Sequence, residues 1–350
     1  MTSLSESGGW PSILNRLLEG SDLTADQARA AMATILAGES TPAQIAGFII
    51  ALRAKGETGA EMSGLLDAVL DAATPVSLPD SLRDRVIDIV GTGGDQSHSI
   101  NVSTISAIVV AGAGVPVCKH GNRASSSKCG SADVLEALGV AIDLPPEGVV
   151  RCVERAGIGF CLASAYHPAF RFAGPVRREL GVPTVFNLLG PMANPARVRR
   201  NVIGVANPLV AERMITTLRE HGSISAWVVH GSGLDELTTT GPSEVIELVN
   251  GEVRHFRVDP AAYGLRAATA ADLVGGEPAV NAVAARRVLG GELGAHRDIV
   301  VLNAGAALVV AGQSADLAEG IAAAGRAIDS GGAAAALEAL VRESQEVAAR

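Results

Sequence analysis

Aromatic residues make up only 3 % of this 350-residue chain, with two Trp and two Tyr. Positive charge is also short: 28 Lys and Arg against 37 Asp and Glu leave a net charge of −9. A chain poor in both stacking rings and cations lacks the usual means of gripping nucleic acid. No apolar run approaches the ~18–20 residues that span a bilayer. The longest, such as 107–118 (AIVVAGAGVPVC), stop well short. The opening residues, MTSLSESGGW, hold no basic stretch followed by an apolar one, so no secretory signal is expected. The four cysteines, Cys118, Cys129, Cys152 and Cys161, form no CxxC pair. They read as free thiols in a reducing cytoplasm rather than a zinc or redox site.

What the chain does have is apolar material, at 48 % hydrophobic and 19 % charged. A single core rarely grows past roughly 250–300 residues, so two domains or lobes are expected. Residues 11–73 read as helices. Ile13, Leu14, Leu17 and Leu18 recur at helical spacing, and Gly20 ends the run. Thr24 with Gln27, and Thr41 with Gln44 around Pro42, are capping boxes that start two more helices. A fourth covers 58–73. No strand pattern precedes residue 85, and 74–84 (TPVSLPDSLRD) reads as a Pro-rich linker. This predicts a helical domain over 1–80 and an α/β domain over 85–345.

In the second region the pattern alternates. VIDIV (86–90), VPVCKHG (115–121), IGF (158–160), NVIGVA (201–206) and SAWVVHG (225–231) read as strands. Helices follow from about Val102 to Ala113 and from Ser131 to Gly139. Strand–helix–strand alternation predicts a mainly parallel sheet flanked by helices. Asn250-Gly251 between two alternating runs signals a type I′ hairpin. Residues 168–195 carry helical pattern with many prolines, and the Ala- and Gly-rich C-terminal part reads as helices.

Ligands of open α/β sheets bind outside the carboxyl ends of strands. After VIDIV come Gly91-Thr92-Gly93-Gly94-Asp95, then Ser99, Asn101, Ser103 and Thr104 as a helix opens. Glycines let backbone N–H groups approach an anion, and a helix N-terminus adds partial positive charge. On the glycines alone, a merely tight strand-to-helix turn is an equal alternative. The motif is neither GxGxxG nor GxxxxGK[ST], which disfavours dinucleotide and P-loop readings. After VPVC comes KHGNRASSSK (119–128), with Lys119, His120, Arg123 and Lys128 as potential cations around three serines. Together the two loops suggest a multiply phosphorylated ligand. Asp235-Glu236 after SAWVVHG suggests magnesium, which binds through one or two carboxylates plus substrate phosphates. Arg177 suits a carboxylate ligand. On sequence alone, though, Arg177 is more often a surface ion-pair residue and His167 a structural histidine.

GTGGD…NVSTIS, KHGNRASSSKCGSADVLEALG, YHPAFRFAGPVRRELGVPTVFNLLGPMANP and HGSGLDELTTT resemble the motifs of the anthranilate phosphoribosyltransferase family. The resemblance runs from DLTADQARAAMATILAGESTPAQIAGFIIALRAKGET to GGEPAVNAVAARRVLGG and VVLNAGAALVVAG, in order. It implies a nucleoside phosphorylase/phosphoribosyltransferase-like fold and a homodimer formed through the small domain. Part of 170–190 would return to the helical domain. The implied activity is phosphoribosyl transfer to anthranilate in tryptophan biosynthesis. The implied contacts to phosphoribosyl pyrophosphate are Gly91, Gly94, Asp95, Ser99, Asn101, Val102, Ser103, Thr104, Lys119, His120, Gly121, Asn122, Arg123, Ala124, Ser125, Ser126, Ser127 and Ser131. Anthranilate would meet Gly91, Asn122, His167 and Arg177. Magnesium would be held by Ser103, Asp235 and Glu236, and Lys119 and His120 would serve catalysis. Gln96 stands where the family usually has Gly, Ser99 where it has Thr, Phe170 where Tyr is common and Cys129 where Ser is usual. A pyrimidine nucleoside phosphorylase-like enzyme shares the architecture, with different loops. A non-catalytic relative that binds nucleic acid would need a basic surface, against the −9 charge.

Overall fold

The computed structural model describes residues 3–124 and 127–350. Four helices open the chain: α1 (Gly9–Leu18), α2 (Ala25–Leu36), α3 (Pro42–Lys55) and α4 (Gly59–Asp71). Both expected capping boxes form. Gln27 N–H donates to Thr24 Oγ1 at 3.2 Å, and Thr24 N–H donates back to Gln27 Oε1 at 3.0 Å. Thr41 and Gln44 do the same, and Thr58 with Glu61 adds a third box. Glu61 is fully buried, and its carboxylate also accepts from Leu23 N–H and Lys55 Nζ, both at 2.9 Å. One side chain therefore fixes the start of α4, the end of α3 and the turn before α2. The 74–84 segment is not a plain linker: it holds a single helical turn, α5 (Asp80–Arg83), begun by Pro79.

The α/β region alternates as expected. In order come β1 (Asp88–Gly91), α6 (Val102–Gly112), β2 (Val117–Gly121), α7 (Ser131–Ala137), α8 (Pro146–Ala156) and β3 (Ile158–Leu162). Short helices α9 (Ala163–Tyr166), α10 (Gly174–Leu180) and α11 (Val185–Leu189) make up the proline-rich stretch, with 3₁₀ turns at Pro168–Phe172 and Gly190–Met192. Then follow β4 (Arg200–Gly204), α12 (Ala211–Glu220), β5 (Ser225–His230), β6 (Ser243–Val249) and β7 (Glu252–Val258). The chain ends in α13 (Pro278–Leu289), α14 (Ala295–Val310), α15 (Leu317–Asp329) and α16 (Gly332–Ala348).

Strands β1, β4 and β5 pair in parallel, and β6 and β7 continue the sheet antiparallel. The turn between them is Asn250-Gly251, both at positive φ (53° and 82°), as a type I′ turn requires. Strands β2 and β3 form a parallel pair joined to β1 by one bridge, Ile87 to Val117. The carboxyl ends of β2, β1, β4 and β5 therefore lie side by side.

The two faces of this sheet feed different cores. Val202, Trp227, Val229 and Val245 pack with α6 and the C-terminal helices. Ile203, Val205, Ala226, Val228, Ile246 and Leu248 pack with α12 and the four N-terminal helices. Ala173, Val176, Val185, Phe186 and Leu189, from the proline-rich stretch, belong to that second core. The period-2 alternation of the strands thus joins the helical bundle to the sheet.

Helices α2 and α4 touch because residue 64 is glycine: a Cβ there would stand 2.0 Å from the Ala25 carbonyl oxygen. We expect Gly64→Ala to destabilise the protein by about 1–3 kcal/mol, as overpacking does. Urea denaturation checks this, and an unchanged midpoint would refute the close approach.

Candidate active site

The first loop leaves β1 at Gly91. A Cβ at Gly91 would lie 2.3 Å from Asp235 Oδ2, and one at Gly204 would lie 1.5 Å from the Asp235 carbonyl oxygen. Glycine at both positions makes room for Asp235. Gly93 N–H donates to Asp235 Oδ2 at 2.6 Å. Gly94 is exposed at φ 80°, with open space where a side chain would be. Gln96 and His98 also take positive φ, 57° and 51°. For a non-glycine residue that conformation costs roughly 1–2 kcal/mol, a physical reason for glycine at position 96 in the family that the chain resembles. Asp95 accepts from Ser97 N–H at 3.1 Å, and Ser97 Oγ meets Ser99 Oγ at 3.2 Å.

The loop closes on α6. Asn101 is the N-cap, and Glu236 Oε1 accepts from Ser103 N–H at 3.1 Å. Val102 is in the core, so only its backbone can face a ligand. Thr104 is buried with its hydroxyl unpartnered, beneath the half-buried Ser103.

The second loop starts at the end of β2. Lys119 is 2 % exposed; its Nζ donates to the Ile89 carbonyl and lies 3.4 Å from Ser103 Oγ. Gly121 is needed because a Cβ would meet Ser131 Oγ at 2.2 Å. The Asn122 carbonyl accepts from Ser131 Oγ at 3.2 Å and from Ala132 N–H at 3.1 Å, while its side chain is exposed. Asp133 closes the loop by accepting from Ala124 and Gly130 N–H, both at 2.8 Å. Ser127 is exposed, and Ser125 and Ser126 lie outside the described residues.

The expectation of four cations in this loop needs correction. Arg123 is folded onto α7, paired with Asp133 at 3.1 Å and Glu136 at 2.9 Å, so its charge is already matched. His120 is neutral. Burial and the nearby His167 push its pKa down to about 3. Lys119 is the cation that faces Ser103, and Lys128 is exposed.

Acidic groups gather opposite. Burial, reinforced by Asp95, raises the Asp235 carboxyl to about 7. Burial and then Asp235 push Glu236 well above its ordinary range. Two adjacent carboxylates that resist ionising side by side mark a place short of positive charge. Among the described residues no three His, Cys, Asp or Glu side chains form a ready-made cation cage. Hard oxygen donors from Asp235, Glu236 and Ser103 fit magnesium, which takes few protein ligands and fills its shell with water and phosphate oxygens.

A third wall comes from the 166–194 segment. His120 Nδ1 is 3.2 Å from the Gly190 carbonyl, and His167 Nε2 is 2.9 Å from the Ala193 carbonyl. A carbonyl can only accept, so those nitrogens carry the protons. His120 Nε2 and His167 Nδ1 are then bare acceptors, buried and without partners among the described residues. From His120 the rings run His167 (5.2 Å), Phe170 (5.0 Å, stacked) and Phe186 (5.4 Å). The Arg177 guanidinium lies 5.0 Å from the Phe186 ring centre. Arg177 is half-buried on α10, with Asn187 Oδ1 at 3.5 Å and, among the described residues, no ion pair. Burial lowers its pKa.

Two supporting residues escaped the sequence reading. Asp88, fully buried, accepts from His120 N–H at 3.1 Å and from Asn194 Nδ2 at 2.8 Å. Asn194 also donates to the Cys118 carbonyl at 2.8 Å, stapling the third wall to β1 and β2. The signal was an acidic residue inside the apolar run VIDIV.

Comparison with known proteins gives consistent matches. Residues 11–73 match the helical bundle domain of the glycosyl transferase family, and residues 83–334 match its a/b domain. The anthranilate phosphoribosyltransferase of Mesorhizobium japonicum is 50 % identical over 94 % of this chain and 97 % of its own length. That of Afipia carboxidovorans is 51 % identical, over 95 % and 98 %. Among solved structures, the Thermus thermophilus anthranilate phosphoribosyltransferase has a TM-score of 0.90 at 42 % identity, covering 95 % of this chain and 99 % of its own. The Saccharomyces cerevisiae enzyme, solved in complex with PRPP and Mg, has a TM-score of 0.88 at 27 % identity, covering 96 % and 98 %.

Burial lowers His167 to about 4, alongside His120 at about 3, against an ordinary value near 6.5. Both groups therefore contribute stability above about pH 6.5. It is lost as the pH falls toward the folded values, because the unfolded chain takes up protons first. Ring resonances of both histidines are expected to keep neutral-form shifts down to about pH 5. An NMR midpoint near the ordinary histidine value for either ring would contradict the burial argument.

Proposed function

This chain belongs to the anthranilate phosphoribosyltransferase family, and from that premise we propose that it transfers the phosphoribosyl group of phosphoribosyl pyrophosphate to the amine of anthranilate. The products are N-(5-phosphoribosyl)anthranilate and pyrophosphate, a step of tryptophan biosynthesis. The observation that carries this reading is the meeting of two glycine- and serine-rich loops with Asp235 and Glu236 at adjacent strand ends, with Arg177, which has no ion pair among the described residues, beyond an aromatic wall.

In this reading the diphosphate and ribose phosphate lie along Gly91, Gly94 and Asp95, Ser99, Asn101 to Thr104, and Lys119 to Ser127 with Ser131. Ser103, Asp235 and Glu236 hold magnesium, which when bound neutralises charge on the departing pyrophosphate. Lys119 adds a fixed positive charge beside that group, aimed by Ile89 and Ser103. Gly91 and Asn122 shape the anthranilate site, His167 lines it and Arg177 takes the carboxylate with its planar fork.

The amine lone pair forms the new bond at the anomeric carbon as the bond to pyrophosphate oxygen breaks. An aromatic amine is uncharged at neutral pH, so its attack needs no strong base. A buried, weakly basic imidazole is adequate for that role: His120 Nε2 can accept the proton that the amine nitrogen releases. Catalysis is then mainly positioning and electrostatic stabilisation. We assign residues 1–80 and 85–345 to the two domains, and the protein to the cytoplasm as a homodimer. No membrane or nucleic-acid partner is assigned. Among the described residues no helix is long and apolar enough to cross a membrane.

Loss of anthranilate fluorescence, dependent on both phosphoribosyl pyrophosphate and magnesium, tests the activity; no loss with both present would reject it. Asp235→Asn with Glu236→Gln is expected to lower turnover at least about a hundredfold while the fold survives. Near-normal turnover with normal circular dichroism would remove the metal assignment. Arg177→Ala is expected to raise the KM for anthranilate roughly ten- to a hundredfold, the cost of a lost charge-assisted pair. The KM for the phosphorylated donor should barely move; equal effects on both would place Arg177 elsewhere.

A further inference from the structure

Residues 273–275, just before α13, lie far along the chain from the first loop, yet they run antiparallel against it. Ile100 N–H donates to the Leu273 carbonyl at 3.0 Å and Gly275 N–H to the His98 carbonyl at 2.8 Å, with Ser99 opposite Val274. Glycine at 275 permits this: a Cβ would stand 2.9 Å from the Ser99 carbonyl oxygen and 2.5 Å from Asn281 Oδ1.

Asn281, on the first turn of α13, is 1 % exposed. Its Oδ1 accepts from Gly276 N–H at 2.7 Å, and its Nδ2 donates to Asn101 Oδ1 at 2.8 Å. Asn101 Nδ2 in turn donates to the Cys129 carbonyl at 3.0 Å. Cys129 belongs to the second loop. Burial pushes its thiol up to about 11.

The direction of this chain of bonds is fixed at one end. Gly276 N–H can only donate, so Asn281 must present its oxygen there and its nitrogen to Asn101. Asn101 must then present its oxygen to Asn281 and its nitrogen to Cys129. Neither carboxamide can turn over without burying two like groups face to face, which costs an unmade hydrogen bond at each contact.

We propose that Asn281 is a positioning residue for phosphoribosyl pyrophosphate, orienting Asn101 and locking the 95–104 loop to the 119–131 loop. This rests on the reading above that those loops hold the donor. None of the hydrogen bonds of Asn281 reaches a residue assigned to anthranilate.

Asn281→Asp separates this role from a general structural one. Aspartate still accepts from Gly276 N–H but has no hydrogen to give Asn101. Calorimetry with magnesium present, and steady-state kinetics, are expected to show donor affinity weaker by about tenfold, with kcat and the anthranilate KM within about threefold of normal. In an Asn101→Ala background the same change should add less than about twofold, because its route is gone. Gly275→Ala, which presses on Asn281 Oδ1 without removing the amide, should weaken donor binding in the same selective way.

Unchanged donor affinity in Asn281→Asp would overturn the proposal. So would a parallel loss for both substrates with a lower melting temperature. A full loss persisting in the Asn101→Ala background would do the same, since it would trace the effect to added charge. Failure of the unaltered protein to bind the donor would reject the functional reading as well, and is seen before any variant is made.

Discussion

A buried ammonium at the end of β2 sets the terms for what surrounds it. Lys119 has no carboxylate within ion-pair distance among the described residues, yet it is almost wholly out of water. Burial pulls its pKa down, and Asp88, Glu236 and Asp235 pull it up, in that order. An uncompensated buried ion costs several kcal/mol. The sheet meets that cost with the Ile89 carbonyl, the Ser103 hydroxyl and a ring of acids at some distance. Each acid needs its own support. Asp88 has His120 N–H and Asn194, Asp235 has Gly93 N–H, and Glu236 has Ser103 N–H. Gly91 and Gly204 follow from this, because any side chain there would displace Asp235.

The same logic explains the proline-rich segment. Prolines at 168, 175, 183 and 191 keep it in short turns rather than one long helix. Interrupted helices leave carbonyls free, and those of Gly190 and Ala193 set which nitrogen of His120 and His167 is bare. The segment is anchored at both faces: Val176 and Phe186 sit in the core of the helical bundle, while Asn194 is fixed to β1 and β2. It therefore carries Arg177 from the helical side to the strand ends.

Local signals were the legible ones. Thr24, Thr41 and Asn250-Gly251 act through neighbours three residues away or fewer, so the sequence shows both partners at once. The strands were legible because each β-branched run ends at a cluster of turn residues, while the glycines alone left a plain strand-to-helix turn as an equal reading of the first loop. Arg123 misled because its partners, Asp133 and Glu136, lie one helix further on, and counting cations in a loop does not reveal which are already matched. Asn281 was hidden for the opposite reason. It sits 180 residues from Asn101, inside an ordinary amphipathic pattern, and only the antiparallel run of 273–275 brings it to the loop. Asp88 stood in view as a lone acid in an apolar strand, and its partner Asn194 lies 106 residues away.

The distribution of unmet charge carries the chemistry further than any single residue does. At the strand ends acidic groups are crowded, with Asp235 held above its ordinary pKa by burial and Asp95, and Glu236 by burial and Asp235. On α10 the site is too positive, with Arg177 half-buried and, among the described residues, without an ion pair. Between them lies a stretch with no net charge: two neutral imidazoles offering bare nitrogens, and two phenylalanine rings. A stable protein without a ligand to bind would gain by pairing these groups internally. Keeping them apart costs stability that only a bound molecule returns. The acids call for a cation that also bridges phosphate oxygens, the arginine for a carboxylate, and the middle for a flat apolar ring with hydrogens to donate. In the proposed function, a metal-bound diphosphate donor and an aromatic amino acid would meet those demands in that order, and would bring the amine between the two charged ends, where the new bond must form.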